Sequence, residues 1–251
     1  MSSAPSRAAV RPVVLALSPP AAGLSRDAGS PCLERLGGSR LIERLRTTLL
    51  GAGLPEPLVI AHAQAAGQLR AVLEGRCTVL TAEDRAAALR LALEHAEEEL
   101  LLVHDAERAL TPAQTVHDVL DALAPEVDAV VPVVALTDSV KEVRPEGLRN
   151  IDRTTLAGLQ SPRLLRRALL GRLLDAHRAA GAPTAPQGRG PARAAGFDEI
   201  HAALEVGAAV RTVPGSHAGF AVVDRLSLWQ AQISLGLARD TSHRHGLARR
   251  G

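Results

Sequence analysis

Short apolar runs alternate with amphipathic stretches along most of this chain, and this alternation restricts the fold more than any other feature. Apolar runs at residues 13–17, 58–61 and 100–103 have the length of strands and are flanked by polar residues or proline, as is typical of strands covered on both faces. Between them lie helix-length stretches with apolar residues at every third or fourth position. Strands and helices in alternation predict βαβ units and a mainly parallel sheet.

The same patterns predict the order of the elements. Strands are expected at 13–17, 58–61, 78–80, 100–103, 128–134 and 210–213, and helices at 39–50, 64–73, 83–97, 161–180, 198–205 and 224–237. Thr111 is expected to cap, and Pro112 to begin, a further helix that ends near residue 123. Two short strands at 139–143 and 148–151, joined by a turn, predict an arm that projects from the sheet.

The domain organisation follows from length and composition. A chain of 251 residues is long enough for one large α/β domain, which we expect over residues 12–238 with the arm at about 137–160. The polar ends, 1–11 and 239–251, are predicted to be disordered tails. The segment 181–196, rich in Ala, Pro, Gly and Arg, is predicted to be a mobile loop.

Composition and charge argue against several classes of function. No apolar run reaches the ~20 residues of a membrane span, and the first residues lack the features of a secretory signal, so a cytoplasmic protein without a membrane partner is expected. A net charge of +2 with two Phe, one Trp and no Tyr gives little basis for binding nucleic acid. Cys32 and Cys77 are expected to be reduced thiols. Lys141 is the single lysine, so chemistry that needs an ammonium group has one candidate.

The loops that follow the strands are the places to look for a site, because ligands of open parallel sheets bind beyond the carboxyl ends of the strands. The loop from Pro20 to Arg26 is built of small residues, which allow backbone N–H groups to approach a phosphate while Arg26 supplies charge. An ordinary turn explains the same residues. No Walker A sequence and no G-x-G-x-x-G occurs in the chain.

Two further strand ends carry polar groups. Asp105 follows a buried strand and has Arg108 three residues on, an arrangement suited to holding a divalent metal together with a polyphosphate. The alternatives are an ion pair between these two residues, or Asp105 acting as a helix cap near Thr111. At residues 137–141, hydroxyl groups and the single lysine cluster where the next strand ends, and a solvated strand end explains this cluster equally well.

Taken in order, these segments resemble the 2-C-methyl-D-erythritol 4-phosphate cytidylyltransferase family over about residues 13–237. The segment LLLVHDAERALTP is similar to the family's V-H-D-A-A-R-P, AVVPVVALTDSVKEV to its P-V-x-D-T-V-K, and IDRTTLAGLQSP to its D-R-x-x-L-x-x-x-Q-T-P. The resemblance implies a single Rossmann-like nucleotidyltransferase domain of the α/β class, a homodimer formed through the β-arm, and Mg²⁺ as cofactor. It also implies transfer of a cytidylyl group from CTP to a sugar or polyol phosphate in isoprenoid biosynthesis, with release of pyrophosphate.

The resemblance also implies roles for individual residues. Asp105 would bind the metal at the CTP phosphates, and Arg153 and Ser161 match residues that a dimer partner's arm contributes to the acceptor phosphate. The implied catalytic residues are Arg26, Arg108 and Arg153. The implied nucleotide-binding residues are Pro20, Ala21, Ala22, Gly23, Arg26, Arg85, Asp105 and Ala106. The implied acceptor-binding residues are Arg108, Ser139, Arg153, Ser161 and Asp198, with Glu199 retained beside Asp198.

The chain also departs from the family pattern. Cys32 and Ala221 stand at two lysine positions, Ser25 replaces a glycine of the phosphate loop, and near the cytosine Thr81-Ala82 replaces Gly-Gly and Ala88 a serine. Loss of a cation at a developing phosphate charge costs roughly two or more orders of magnitude in rate. Arg26, Arg35 or Arg40 could compensate only if the backbone is rearranged. Two hypotheses therefore remain, a transferase with weakened or altered activity and a catalytically inactive paralogue that binds a nucleotide or a regulatory partner.

Overall fold

The computed structural model describes residues 7–19, 23–25, 28–181 and 196–237. The predicted loop at 181–196 lies outside these residues except for its two end residues, and the predicted tail at 239–251 lies outside them entirely. At the amino end a short 3-10 turn spans Arg7–Ala9, and the first strand begins at Val10. Val10 and Arg11 thus belong to the sheet, and the domain begins earlier than the expected residue 12.

The described residues form twelve strands and seven α-helices. The strands are β1 Val10–Ala16, β2 Arg35–Leu36, β3 Ser39–Arg40, β4 Leu58–Ala61, β5 Val79–Thr81, β6 Leu100–Asp105, β7 Ala129–Ala135, β8 Val140–Arg144, β9 Gly147–Ile151, β10 Ala157–Leu159, β11 Arg163–Arg166 and β12 Val210–Pro214. The helices are α1 Leu41–Gly51, α2 Ala63–Leu73, α3 Arg85–His95, α4 Ala113–Asp121, α5 Arg167–Ala179, α6 Glu199–Glu205 and α7 Arg225–Ser234.

One large sheet organises the molecule, in the order β5-β4-β1-β6-β11-β7-β12, with β10 also paired to β7. The pairs β1 with β4, β1 with β6, β4 with β5 and β7 with β12 are parallel. The antiparallel pairs involve β10 and β11. The predicted α/β fold, with a mainly parallel sheet flanked by helices, is confirmed. None of the described helices is long and apolar enough to cross a membrane.

Helices cover both faces of this sheet, because successive side chains of a strand point to opposite faces. Along β1, Val10, Val14 and Ala16 pack in the cluster that includes residues of α1, α2 and α4. Val13 and Leu15 pack in the cluster that includes residues of α3, α5 and α6. Burial of each large aliphatic side chain contributes about 1.5–3 kcal/mol, so both layers fix the position of the central strands.

The predicted helix at 161–180 is wrong in its first six residues. Residues 163–166 form β11, which lies between β6 and β7, and the helix α5 begins only at Arg167. Leu164 and Leu165 are both fully buried and belong to opposite core layers, as strand geometry requires. The peptide bond between Ser161 and Pro162 is cis. Because β11 is antiparallel to β6, Arg163 at its start pairs with Val103 and lies towards the carboxyl edge of the parallel strands.

The cap predicted for α4 is also wrong. Pro112 occupies the N-cap position, and no side chain caps the helix there. The Thr111 hydroxyl instead donates to the carbonyl oxygen of Arg108 at 2.8 Å. A local hydrogen bond to the preceding turn has therefore taken the place of the expected cap.

The arm is a two-stranded antiparallel hairpin of β8 and β9, paired from Val140 with Ile151 to Arg144 with Gly147. Among the described strands it pairs with none outside itself. Two of its apolar side chains are strongly exposed, Val143 at 81% and Leu148 at 70%. An isolated two-stranded hairpin is marginally stable in water, so these side chains mark a surface that another chain could cover.

Candidate active site

A cleft of about 700 Å³ opens where the parallel strands end. Its walls come from the ends of β1 and β6, the loop between β5 and α3, the start of β11 and the segment before α6. Parallel strands bring these loops to one edge of the sheet. The charged side chains that line the cleft are Glu83, Asp84, Arg85, Asp105, Glu107, Arg108, Arg163 and Asp198.

Arg85 links the two sides of this cleft. Its Nη1 donates to Asp105 Oδ1 at 2.7 Å, and its Nε and Nη2 donate to the two carboxylate oxygens of Glu199, each at 2.7 Å. Glu199 is fully buried, and a buried carboxylate requires such paired, charge-assisted hydrogen bonds. The first turn of α3 and the first turn of α6 are thus tied together through one guanidinium group.

Arg163 extends the same charge cluster. Its Nη1 donates to Asp198 Oδ2 at 2.8 Å and to Glu199 Oε1 at 3.1 Å, and its Nε donates to the Gln160 carbonyl oxygen at 3.3 Å. Asp198 also caps α6, because its Oδ1 accepts the backbone N–H groups of Ile200 and His201. One aspartate therefore both begins the helix and holds the guanidinium group.

The cluster keeps Asp105 ionised. Burial by itself raises the pKa of this carboxyl, but the positive charges of Arg85 and Arg163 outweigh burial and lower the pKa to about 2. For Arg163, burial opposes the charged form while Glu199 and Asp198 favour it, and the pKa is raised. At neutral pH the cleft therefore presents an anionic Asp105 beside cationic guanidinium groups.

A buried histidine and serine fix the backbone at Asp105. The Asp105 N–H donates to Ser161 Oγ at 3.1 Å, and His104 Nδ1 lies 3.0 Å from the Asp105 carbonyl oxygen and 3.3 Å from Ser161 Oγ. Burial lowers the pKa of His104 to about 4, so its ring is neutral at pH 7. We assign the ring proton to Nδ1, because a carbonyl oxygen only accepts.

Glu107 lies at the cleft close to the loop that follows β1. Its Oε1 accepts the backbone N–H of Ser18 at 3.3 Å. Burial and the charge of Asp105 raise its pKa. The matched family segment, V-H-D-A-A-R-P, has alanine at this position. Glu107 therefore adds to the cleft a carboxyl group that was not among the predicted site residues.

Four of the predicted site residues line the cleft together: Arg85, Asp105, Arg108 and Asp198. Ala106 is fully buried next to Asp105. Ser161 is 1% exposed, and its hydroxyl group lies behind Asp105 and supports the backbone there. The structure thus gives Ser161 a different position from the acceptor-binding position implied by the resemblance.

The arm residues lie elsewhere. Ser139 and Arg153 are exposed and are not part of the cleft lining of their own chain. Arg153 Nη1 donates to the carbonyl oxygen of Thr137 at the base of the arm. Their predicted contact with an acceptor therefore requires the cleft of a second copy, and it stays a prediction.

The predicted phosphate loop is described only in part. Pro20, Ala21, Ala22 and Arg26 lie outside the described residues. Gly23, with φ +88°, and Ser25 line a separate hollow beside α7. Both the N–H and the hydroxyl of Ser25 donate to the carboxylate of Glu34, at 2.7 and 2.9 Å, which fixes this part of the loop.

The two positions where the family has lysine carry no cation here. The Cys32 side chain is fully buried, and burial raises the pKa of its thiol to about 12. Ala221 lines the cleft. Arg35 and Arg40 donate to the carbonyl oxygens of Gly38 and Leu33 and are not part of the cleft lining, so the structure gives no support to compensation by these two residues.

Two further members of the charge cluster, Arg163 and Glu199, were not among the predicted site residues. Arg163 was placed inside a predicted helix, where its position at the sheet edge could not be seen. For Glu199 a signal was present, since it follows Asp198 in the segment matched to the family. Its burial between two arginines depends on tertiary contacts that the segment alone does not contain.

Comparison with known proteins identifies the family. A sequence model described as IspD, 2-C-methyl-D-erythritol 4-phosphate cytidylyltransferase, matches residues 16–237, which is most of the chain. This chain belongs to the 2-C-methyl-D-erythritol 4-phosphate cytidylyltransferase family. The resemblance inferred from the three sequence segments is therefore confirmed.

Individual members of the cytidylyltransferase family agree with this assignment. The 2-C-methyl-D-erythritol 4-phosphate cytidylyltransferase of Streptomyces coelicolor is 31% identical over 237 residues, covering 86% of this chain and 82% of that protein. The one from Frankia casuarinae is 36% identical over 166 residues, 60% of each chain. The crystal structure of the Thermus thermophilus enzyme superposes with a TM-score of 0.66 at 21% identity and covers 89% of this chain and 98% of that one, which shows the shared fold.

Proposed function

We propose that this protein transfers a cytidylyl group from CTP to the phosphate of 2-C-methyl-D-erythritol 4-phosphate. An oxygen of the acceptor phosphate attacks the α-phosphorus of CTP, and the bond from that phosphorus to the oxygen bridging to the β-phosphorus breaks, so that pyrophosphate leaves. The observation that carries the proposal is the ionised Asp105 at the end of β6, held beside guanidinium groups in the cleft. Membership of the family supports the choice of substrates.

The residues present fit a Mg²⁺ ion bound together with the nucleotide. Mg²⁺ is usually held by one or two carboxylates plus substrate phosphates and water. Asp105 Oδ1 accepts from Arg85, and Oδ2 has no hydrogen bond to any described residue. No group of three or more potential ligands occurs among the described residues, which suits a site that the triphosphate completes. When bound there, Mg²⁺ would neutralise charge on the phosphates.

The protein's own contribution is position and charge. Phosphoryl transfer of this kind depends mostly on in-line placement of the reactants and on stabilising negative charge. Arg108 is fixed by the hydrogen bond from its Nη1 to the Gly219 carbonyl oxygen at 2.8 Å, and Arg163 by Asp198 and Glu199. Both guanidinium groups lie in the same cleft as Asp105, where an acceptor phosphate and a triphosphate would meet.

The proposal includes a homodimer. Val143 and Leu148 on the arm expose apolar side chains, and burying them in a dimer interface would stabilise the dimer. A two-fold dimer would bring Ser139 and Arg153 of one arm to the cleft of the other protomer. Cytoplasmic location, expected from the sequence, remains a prediction.

Release of pyrophosphate tests the function. Each of CTP, ATP, GTP and UTP is incubated with Mg²⁺ and 2-C-methyl-D-erythritol 4-phosphate, and we expect turnover with CTP. Asp105→Asn should lower turnover by about 100-fold or more, because it removes the charge that holds the metal. Asp175→Asn, at an exposed site on α5, is the matched control. Turnover that Asp105→Asn leaves unchanged would contradict the assigned site.

A second candidate function is a nucleotide-binding protein without turnover. Two observations favour it, the fully buried thiol of Cys32 and the methyl group of Ala221 at positions where the family has lysine. Calorimetry separates the candidates, because this second function predicts binding of CTP with Mg²⁺ but no pyrophosphate with any acceptor concentration.

A further inference from the structure

We infer that Arg163 binds the phosphate group of the acceptor. The inference rests on the proposed function and names the residue that recognises the acceptor. Arg163 lies outside the three segments that resemble the family, and the sequence patterns predicted a helix there instead of a strand at the edge of the cleft.

Arg85 is committed to two carboxylates of the cluster, although one N–H remains on each of its Nη1 and Nη2 atoms. Its Nε, Nη1 and Nη2 all donate to Asp105 or Glu199 at 2.7 Å. Arg108 donates to the Gly219 carbonyl oxygen on the side of the cleft formed by the segment before α7. Arg85 thus serves mainly to hold two carboxylates, whereas Arg163 keeps one nitrogen atom that neither Asp198 nor Glu199 occupies.

Arg163 keeps one nitrogen for a ligand. Its Nε and Nη1 donate to Gln160, Asp198 and Glu199, whereas Nη2 has no hydrogen bond to a described residue. Nη2 is also not among the fully enclosed unpartnered atoms of the described part, which belong to Arg7, Arg11, His104 and Arg167. The side chain is 9% exposed and lines the cleft, so its remaining donor faces that cleft.

The surroundings hold this donor in place before a ligand arrives. The backbone of Arg163 is part of β11, which is paired to β6 on one side, and two carboxylates fix the guanidinium plane. A fixed guanidinium loses little conformational entropy on binding and matches the geometry of phosphate oxygens. An exposed arginine on a loop would have neither advantage.

The net charge of the cluster explains when an anion can bind. Two guanidinium groups face three carboxylates, those of Asp105, Asp198 and Glu199, which leaves one negative charge in excess. A divalent cation at Asp105 reverses this sign. A phosphate dianion should therefore bind at Arg163 more tightly with the divalent cation present than without it.

The test measures binding of the acceptor directly. Titration calorimetry follows 2-C-methyl-D-erythritol 4-phosphate added to the whole protein with Mg²⁺ and the α,β-methylene analogue of CTP, which does not react. Arg163→Gln should raise the Kd of the acceptor by about 10-fold or more, since a hydrogen bond to a charged group is lost, and leave the Kd of the nucleotide analogue within about twofold. Arg163→Lys should give an intermediate Kd because the charge is kept.

Controls separate this role from a structural one. Arg90→Gln removes a partly exposed arginine that pairs with Asp175 outside the cleft, and it should leave both Kd values unchanged. The inference is overturned if Arg163→Gln leaves the acceptor Kd unchanged, or if acceptor and nucleotide affinities fall by the same factor. Acceptor binding by the wild type without pyrophosphate release would count against the proposed transferase and still decide the role of Arg163. If the wild type binds no acceptor, both fail.

Discussion

Asp105 keeps its negative charge in a largely buried position because Arg85 and Arg163 lie close to it. Its pKa of about 2 lies below its ordinary value of 3.8, so its ionisation stabilises the folded state above about pH 4, and this contribution is lost as the pH falls towards 2. The free energy involved is on the order of 2 kcal/mol. The group proposed to hold the metal is therefore charged at every physiological pH.

His104 behind Asp105 should set the acid limit of stability at milder pH. The neutral ring is required by the fold, with a pKa of about 4 against an ordinary 6.5. Stability from this group is complete above pH 6.5 and is lost as the pH falls from 6.5 through 4, by about 3 kcal/mol. His104→Asn, whose amide can donate to the same carbonyl oxygen, should remove this loss.

Urea unfolding at several pH values between 7 and 4 checks this expectation. His104→Asn has a lower free energy of unfolding at pH 7 because it is smaller, so the comparison concerns the slope with pH and not the absolute value. His95→Asn, at an exposed position, serves as the control. Equal slopes for wild type and His104→Asn would show that His104 does not titrate as proposed.

The sequence was sufficient for the part of the site that lies at the ends of predicted strands. Asp105 was found because it follows a recognisable strand, and Arg85 was implied by the resemblance to the family; the structure brings the two side chains within 2.7 Å. Arg163 was missed because the strand that places it was predicted as a helix. The burial of Cys32 could not be foreseen either, since the direction of a side chain in an irregular loop is set by contacts distant in sequence.

At the scale of elements, β11 shows why local pattern fails in the middle of a sheet. The residues 163–166 continue directly into helix α5, and a short apolar pair with flanking arginines does not distinguish a strand from the first turn of a helix. These residues form a strand because they pair with β6 on one side and β7 on the other. β4 needed no such information, because its apolar run was sufficient to predict it with its observed bounds.

Gly215, after β12, should tolerate no side chain. A Cβ there would overlap Gln160 Oε1 and lie 2.9 Å from the Val133 carbonyl oxygen. Gln160 is fixed, because its amide group both accepts from and donates to the backbone of Ser216 at 2.9 Å. Gly215→Ala should lower the free energy of unfolding by about 1–3 kcal/mol.

Gly67 provides the matched control in a helix. An added Cβ meets nothing within 4 Å, and alanine in α2 should raise the free energy of unfolding by about 0.5–1 kcal/mol. Both variants are measured by chemical denaturation. A Gly215→Ala protein as stable as the wild type would mean that Gln160 can move aside.

The arm should determine the oligomeric state. Val143→Asp with Leu148→Asp places two charges on its exposed apolar surface and should convert the proposed dimer to a monomer, as measured by light scattering after gel filtration. Val206→Asp, at an exposed apolar position beyond α6, should leave the dimer intact. Pyrophosphate release should fall only in the arm variant. A wild-type monomer at micromolar concentration would refute the dimer.

At the scale of the whole molecule, the charge of the cleft differs from that of the chain. The chain carries a net charge of +2, but the described lining of the cleft has five carboxylates and three guanidinium groups. Ala221, which lines the cleft at a position where the family has lysine, accounts for part of this deficit. A triphosphate entering such a cleft meets a net repulsion.

Binding of CTP should therefore depend strongly on a divalent cation. Without one, the triphosphate faces Asp105 and Glu107 directly; with one, the repulsion becomes an attraction shared by Asp105 and the phosphates. We expect the Kd for CTP, measured by calorimetry, to rise by at least about 10-fold in EDTA and to recover on adding excess Mg²⁺. In Asp105→Asn the difference between the Kd in EDTA and the Kd in Mg²⁺ should be smaller. The variant lacks the carboxylate that both repels the triphosphate and binds the cation. If the wild type has the same Kd for CTP in EDTA and in Mg²⁺, the triphosphate lies away from Asp105. The triphosphate would then be assigned to the loop after β1 instead.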